Sequence, residues 1–78
     1  MRTFYVCTRV MGGEWANYGL MGVTQEFSDL PSAMGMAATL ASPIVEAMVG
    51  SIDTTVTETE GGSKLVQKTY AFVDIVRA

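Results

Sequence analysis

Leu30-Pro31-Ser32-Ala33-Met34-Gly35-Met36-Ala37-Ala38-Thr39-Leu40-Ala41-Ser42-Pro43-Ile44-Val45-Glu46-Ala47-Met48-Val49 is the stretch whose reading decides the fold. Leu30, Ala33, Met34, Ala37, Leu40, Ala41, Ile44 and Met48 recur at steps of three and four, the spacing of one helix face. The opposite face carries Ser32, Gly35, Met36, Thr39, Ser42, Glu46 and Val49, and Glu46 is its one charge. A helix so poor in charge is covered on more than one side. Ala33, Ala37 and Ala41 would let another backbone approach closely. The main expectation is a helix lying on a sheet; a second face packed on a partner chain is the sharper alternative. A membrane span needs about 20 strongly apolar residues, and the prolines, hydroxyl residues and Glu46 argue against one.

The ends of the helix are marked. Ser28 and Asp29 are N-cap residues, and Pro31 suits the first turn, where its missing N–H is not needed. Pro43 removes the bond to the Thr39 carbonyl and crowds it. The helix is therefore expected to kink or break near Ser42, which could cap a second short helix over Pro43 to Val49, and Gly50 is expected to end the element as a C-terminal glycine.

On either side the pattern changes to a period of two. From Arg2 to Met11, Phe4, Val6, Thr8 and Val10 share one face and Thr3, Tyr5, Cys7, Arg9 and Met11 the other, which reads as a strand. Gly12-Gly13 turns the chain. A less regular extended segment runs from about Trp15 or Ala16 to Phe27, where Gly19 and Gly22 suggest a bulge, a bend or a close backbone approach. Asn17-Tyr18-Gly19 could instead belong to a wide loop, leaving Leu20 to Phe27 as the strand.

Beyond the helix, Ser51 to Glu60 alternates as a half-exposed strand, and Lys64 to Val76 forms a long last strand. A three-residue loop at Glu60-Gly61-Gly62 pairs Val56 with Val66, Ile52 with Tyr70 and Glu58 with Lys64. A two-residue turn loses those matches, each worth a few tenths of a kcal/mol or more. The last strand reads as apolar on both faces: Val66, Tyr70, Phe72 and Val76 on one, Leu65, Ala71, Val73 and Ile75 on the other. A strand of that kind is covered on both sides, and one helix covers only one. The expected fold is α+β: one domain over 1–78 in ββαββ order, a four-stranded, mostly antiparallel sheet with one helix, kinked or broken at Pro43, packed on one face.

Composition points the same way. Apolar residues make up 49% and charged residues 17%, against roughly 25% charged in typical domains. So few charges cannot coat the large surface of a small domain, which favours an oligomer or a tight binder. The net charge is −3. No lysine- or arginine-rich run provides a footprint for nucleic acid or anionic lipid. Arg2 opens an alternating strand, not the continuous apolar core of a signal peptide. The single cysteine cannot form an internal disulfide, so a reducing cytoplasm fits best.

The residues for common chemistries are missing. With no histidine, the commonest general base and neutral metal ligand are absent, and Cys7 has no partner for a nucleophile pair or a zinc site. It reads as a small strand side chain. The acidic residues are scattered and propose neither a metal site nor a catalytic pair. The paired glycines lack the helix and lysine of a phosphate loop. No catalytic residue, cofactor or metal is expected, and the chain reads as a non-enzyme.

The expected activity is binding. A compact acidic chain of this kind is similar in general style to small phage or mobile-element proteins that block a host machine, as anti-CRISPR proteins do. The leading expectation is a homodimeric inhibitor or modulator of a protein complex, binding no nucleic acid directly and no membrane. Its partner surface would use Glu14, Trp15, Asn17 and Tyr18, with Glu58 and Glu60. Trp15 and Tyr18 would anchor, and the carboxylates would steer toward a basic partner. Trp15, Tyr18 and Met21 form an exposed cluster on that reading; on the other, Trp15 folds back over the sheet edge. Met34 and Met36 lie about 200° apart on a helix, so one of them is expected at an interface. The oligomer interface would hold Met36, Leu65, Val73 and Ile75. The alternative is an oligomeric small-ligand binder whose pocket between subunits is lined by the last strand.

Overall fold

The computed structural model describes residues 1–20 and 23–78. Its backbone is a four-stranded antiparallel sheet in the order β2-β1-β5-β6. Strand β1 (Arg2–Val10) and strand β5 (Val45–Glu58) form the centre, β2 (Ala16–Asn17) lies on one edge, and β6 (Lys64–Val76) on the other. Two further short strands, β3 (Gly19–Leu20) and β4 (Val23–Thr24), form a separate two-stranded sheet. Helix α1 (Leu30–Leu40) packs on one face.

The core explains why the helix is so rich in small residues. Ala33 and Ala37 are fully buried against Val6, Ala47 and Val49. The largest wholly buried side chains are Val6 and Val49, so the helix lies close to the sheet. Asp29 caps α1, its Oδ1 accepting a 2.8 Å bond from the Ser32 N–H. Met34 and Met36 both pack, half-buried, against the core.

The helix ends sooner than its apolar spacing suggests. Leu40 is its last residue, and the Ala41 N–H bonds the Ala37 carbonyl. Ser42 and Val45 then exchange backbone hydrogen bonds around Pro43-Ile44, and β5 begins directly. The expected second helix over Pro43 to Val49 is therefore a strand. Proline suits the second position of a tight turn, and Val45, Ala47 and Val49 fit a period of two, while Ile44 and Met48 beside them fit a helical step of four. Gly50 does not end a helix; it lies buried inside β5, at a shift in the β5–β6 register.

The second expected strand is also corrected. Ala16 and Asn17 pair with Thr8 and Cys7 of β1, the Tyr18 N–H bonds the Val6 carbonyl, and Phe27 exchanges two bonds with Phe4. These stations lie along one edge of β1, but the β3–β4 hairpin interrupts them. The Gln25 N–H bonds the Tyr18 carbonyl at the hairpin's base. Gly19 makes a close backbone approach, its missing Cβ leaving room for the Val23 carbonyl; Met21 and Gly22 lie outside the described residues. The ββαββ order is thus replaced by β1, three two-residue strands, the helix, and two long strands.

The last hairpin keeps the expected register: Val56 pairs with Val66, Ile52 with Tyr70 and Glu58 with Lys64. Gly62 takes the left-handed position with φ 78°. Near the body the register shifts, so that Gly50 faces Phe72 while Val49 faces Asp74. Val73 is the extra residue of this bulge, and it packs toward the helix side. Beyond Thr54, the last residue bonded to Met1, the hairpin pairs with no third strand among the described residues and extends as a two-stranded arm. The molecule accordingly measures 52 × 23 × 20 Å.

Candidate functional site

The sheet has a helix face and an open face. Paired residues of an antiparallel ladder share a face, so Tyr5, Cys7 and Arg9 lie on the open face with Gly50, Met48 and Glu46. Ile52, Tyr70, Phe72, Val66 and Val56 continue it along the arm. Every residue from Thr55 to Phe72 is exposed. Tyr70 and Phe72 each show 61% of their surface, and Val56 and Val66 more than half. Strands β5 and β6 thus present exposed apolar side chains on their open face, with Phe72 and Tyr70 on one side of the Thr54–Lys68 pair and Val56 and Val66 on the other.

A concave pocket of about 330 Å³ lies at the root of the arm. Its aromatic wall is Tyr5 and Tyr70, with ring centroids 5.9 Å apart in an edge-to-face arrangement, and it is also lined by the buried Ile52. Val23 and Thr24 of the inserted hairpin contribute to its lining, as do Glu26 and Lys68. The Glu26 carboxylate accepts a 2.7 Å bond from Thr3 Oγ1. Burial pushes the Tyr5 phenol up from its ordinary pKa. The pocket therefore combines two rings with one carboxylate and one ammonium.

Asn17 tethers this wall: it donates from Nδ2 to Thr24 Oγ1 at 3.0 Å, and its Oδ1 accepts from the Cys7 thiol at 2.9 Å. Cys7 is buried in β1, and burial raises its thiol pKa. That is the reverse of what an activated nucleophile needs.

At the other end of the open face sits a charged cluster that composition does not reveal. The Glu46 side chain is 7% exposed, with Oε2 3.1 Å from Arg9 Nη2 and Oε1 3.8 Å from Arg77 Nε. The Arg9 guanidinium lies over the Trp15 ring, 4.6 Å from its centroid. Its Nε is buried with no hydrogen-bond partner among the described residues. The signal for this cluster was the lone charge of the Leu30–Val49 stretch: a single glutamate in an apolar run, once in a strand, needs a paired cation.

The expected partner-binding residues do not converge on one surface. Glu14 is exposed in the first loop, Trp15 is half-buried against Arg9, and Tyr18 packs on the helix-face core. Glu58 and Glu60 lie at the tip of the arm. Val45, beside the first loop, and Glu58 are the two ends of β5, on the order of 40 Å apart at about 3.3 Å per residue. The expected oligomer residues also separate. Leu65 is exposed on the arm, while Met36 and Val73 pack on the core. Ile75 pairs with Met48 on the open face, because the bulge reverses the alternation.

Among the described residues no group of histidine, cysteine and carboxylate side chains could hold a metal ion, and no helix is long and apolar enough to cross a membrane. No protein-family model, curated protein or solved structure matches the chain.

Proposed function

We propose that this chain is a non-catalytic protein-binding module that acts as an assembly of its own copies and modulates a protein complex by covering part of its surface. The observation that carries this reading is the exposed stripe of Val56, Val66, Tyr70 and Phe72. Aromatic and aliphatic side chains in one row are what interface centres are made of. Glu58 and Glu60 at the arm tip favour approach to a basic partner. Glu14 and Trp15 reach only a partner long enough to span β5.

The test compares proteins captured by the wild type with those captured by a Tyr70→Ser, Phe72→Ser variant. Both side chains are exposed, so the fold is expected to tolerate the change. A partner lost with this variant and kept by Trp15→Ala supports the arm as the contact. An identical set of captured proteins overturns it.

The pocket favours a second reading, a small-ligand binder. Its size falls within the range of about 300–1,000 Å³ used for small molecules. A ring-bearing zwitterion would stack on Tyr5 and Tyr70, with its charges answered by Glu26 and Lys68. Heat stabilisation by aromatic amino acids, abolished by Lys68→Ala, would favour this reading over the first.

A further inference from the structure

We infer that β6 is the seam of a two-fold homodimer, with Thr69 opposite Thr69 of the second copy. The inference rests on the reading that the chain acts as an assembly of its own copies, and it names the contact.

The phase of the backbone hydrogen bonds shows what the outer edge offers. The Thr54 N–H bonds the Met1 carbonyl, so the backbone groups of Thr54 point toward β1. Lys68, its partner in the ladder, therefore points its N–H and C=O away from β5. By alternation Lys64, Val66, Tyr70 and Phe72 do the same. This edge contains no proline, and apolar side chains stand beside its lysines. Lys64, Lys68 and the bulge guard this edge only in part, and the unbroken run from Val66 to Phe72 offers a row of free backbone groups that can pair with another strand. A second copy supplies a matching row of donors and acceptors by symmetry.

The bulge and the charges then select the register. A two-fold axis through the seam sets one residue opposite itself. Regular pairing cannot extend past Phe72, where the bulge turns the strand. Lys68 on the axis would oppose two ammonium groups, which destabilises a pair. Gln67 on the axis leaves Phe72 beside the turn glycine Gly62. Tyr70 on the axis sets Phe72 against Lys68 and shortens the regular pairing. Thr69 on the axis allows regular pairing from Val66 to Phe72. It sets Phe72 opposite Val66 of the second copy, and Tyr70 opposite Lys68 of the second copy, where an ammonium can lie on the phenol ring.

This arrangement provides what the arm lacks. A two-stranded ribbon is marginal in water, and here each arm gains a third strand from the other copy. The open faces of the two copies join into one apolar surface, which leaves the stripe available to a different partner.

Thr69 of the two copies would form a non-hydrogen-bonded pair, with Cα atoms about 4.5 Å apart, within disulfide reach. The test uses a Cys7→Ala background and mild oxidation. Thr69→Cys is expected to form a covalent dimer on its own. Gln67→Cys and Ala71→Cys are expected to cross-link when mixed and not alone. If light scattering shows a dimer but no such cross-links form, the seam is overturned and the assembly reading stands. A monomer at high protein concentration overturns both.

Discussion

Gly50 lies directly beneath the ring of Tyr5, its partner across the β1–β5 ladder. A Cβ on Gly50 would run into Cζ, Cε1 and Oη of that ring. The missing side chain is what lets Tyr5 fold onto the sheet and meet Tyr70 edge-on. Gly50→Ala is expected to destabilise the protein by about 1–3 kcal/mol, the usual cost of overpacking. Adding Tyr5→Val should recover most of that loss, so the two changes will not be additive. Urea unfolding of the four proteins in the cycle measures the coupling, and additive losses would show that the ring does not rest on Gly50.

Glu46 is the second point of vulnerability. Glu46→Gln keeps the shape and removes the charge facing Arg9 and Arg77. Removing one member of a largely buried pair leaves the other uncompensated. A loss of about 2 kcal/mol is expected, less than for a fully buried pair because Arg9 keeps some exposure. Trp15 is the only tryptophan, and it stacks on Arg9. Its fluorescence should report both the unfolding and any local rearrangement.

Acid should weaken the fold through two aspartates. The Arg2 guanidinium hydrogen-bonds Asp53 and holds its carboxyl below the usual carboxylate range. The Ser32 backbone N–H does the same for Asp29 at the helix cap. A depressed folded-state pKa means that the unfolded chain binds the proton more readily. Their contribution is therefore complete above about pH 4, the unfolded value, and is lost as pH falls through the folded values. The urea midpoint should fall below that pH, and the fall should be shallower in Asp53→Asn. An equal fall in wild type and variant would remove Asp53 from the explanation.

The arm can be probed at its turn. Gly62 has φ 78°, where an L side chain is strained, whereas Gly61 has neither positive φ nor a close neighbour. Gly62→Ala should cost the hairpin about 1 kcal/mol, and Gly61→Ala should be tolerated. Amide exchange between Thr55 and Gln67 should speed up in the first variant and stay unchanged in the second. The Val6 and Val49 amides in the body should be indifferent to both.

How much of this was legible in the sequence depends on the range over which each feature is decided. The register of Val56 on Val66 and Ile52 on Tyr70 could be read because a short loop with glycine at the right place leaves few alternatives. The cap at Asp29 is equally local. Val45 to Val49 was misread because its apolar residues satisfy both periods, and only pairing with β1 makes a strand the better solution. The Val73 bulge has no composition of its own, so the faces of Ile75 and Val76 were exchanged. Gly50 under Tyr5 and Glu46 between two arginines each depend on the β1–β5 alignment. Residues far apart in the sequence meet there, Tyr5 with Gly50 and Arg9 with Glu46, which no local pattern announces. The candidate site suffered most. Glu14 and Glu58 look alike as exposed acids, but the length of β5 holds them at opposite ends.

The hydrogen bond between the Gln25 N–H and the Tyr18 carbonyl makes the β3–β4 hairpin a detachable graft on the edge of β1. Its two roots are already joined, and Gly19, which admits the Val23 carbonyl, and Thr24, bonded to Asn17, hold the base, so a change at the exposed Val23 leaves the sheet, the helix and the arm their geometry. The same segment supplies Val23 and Thr24 to the pocket. On the small-ligand reading, the shape of the pocket can therefore be altered at the exposed Val23 without altering how the chain folds.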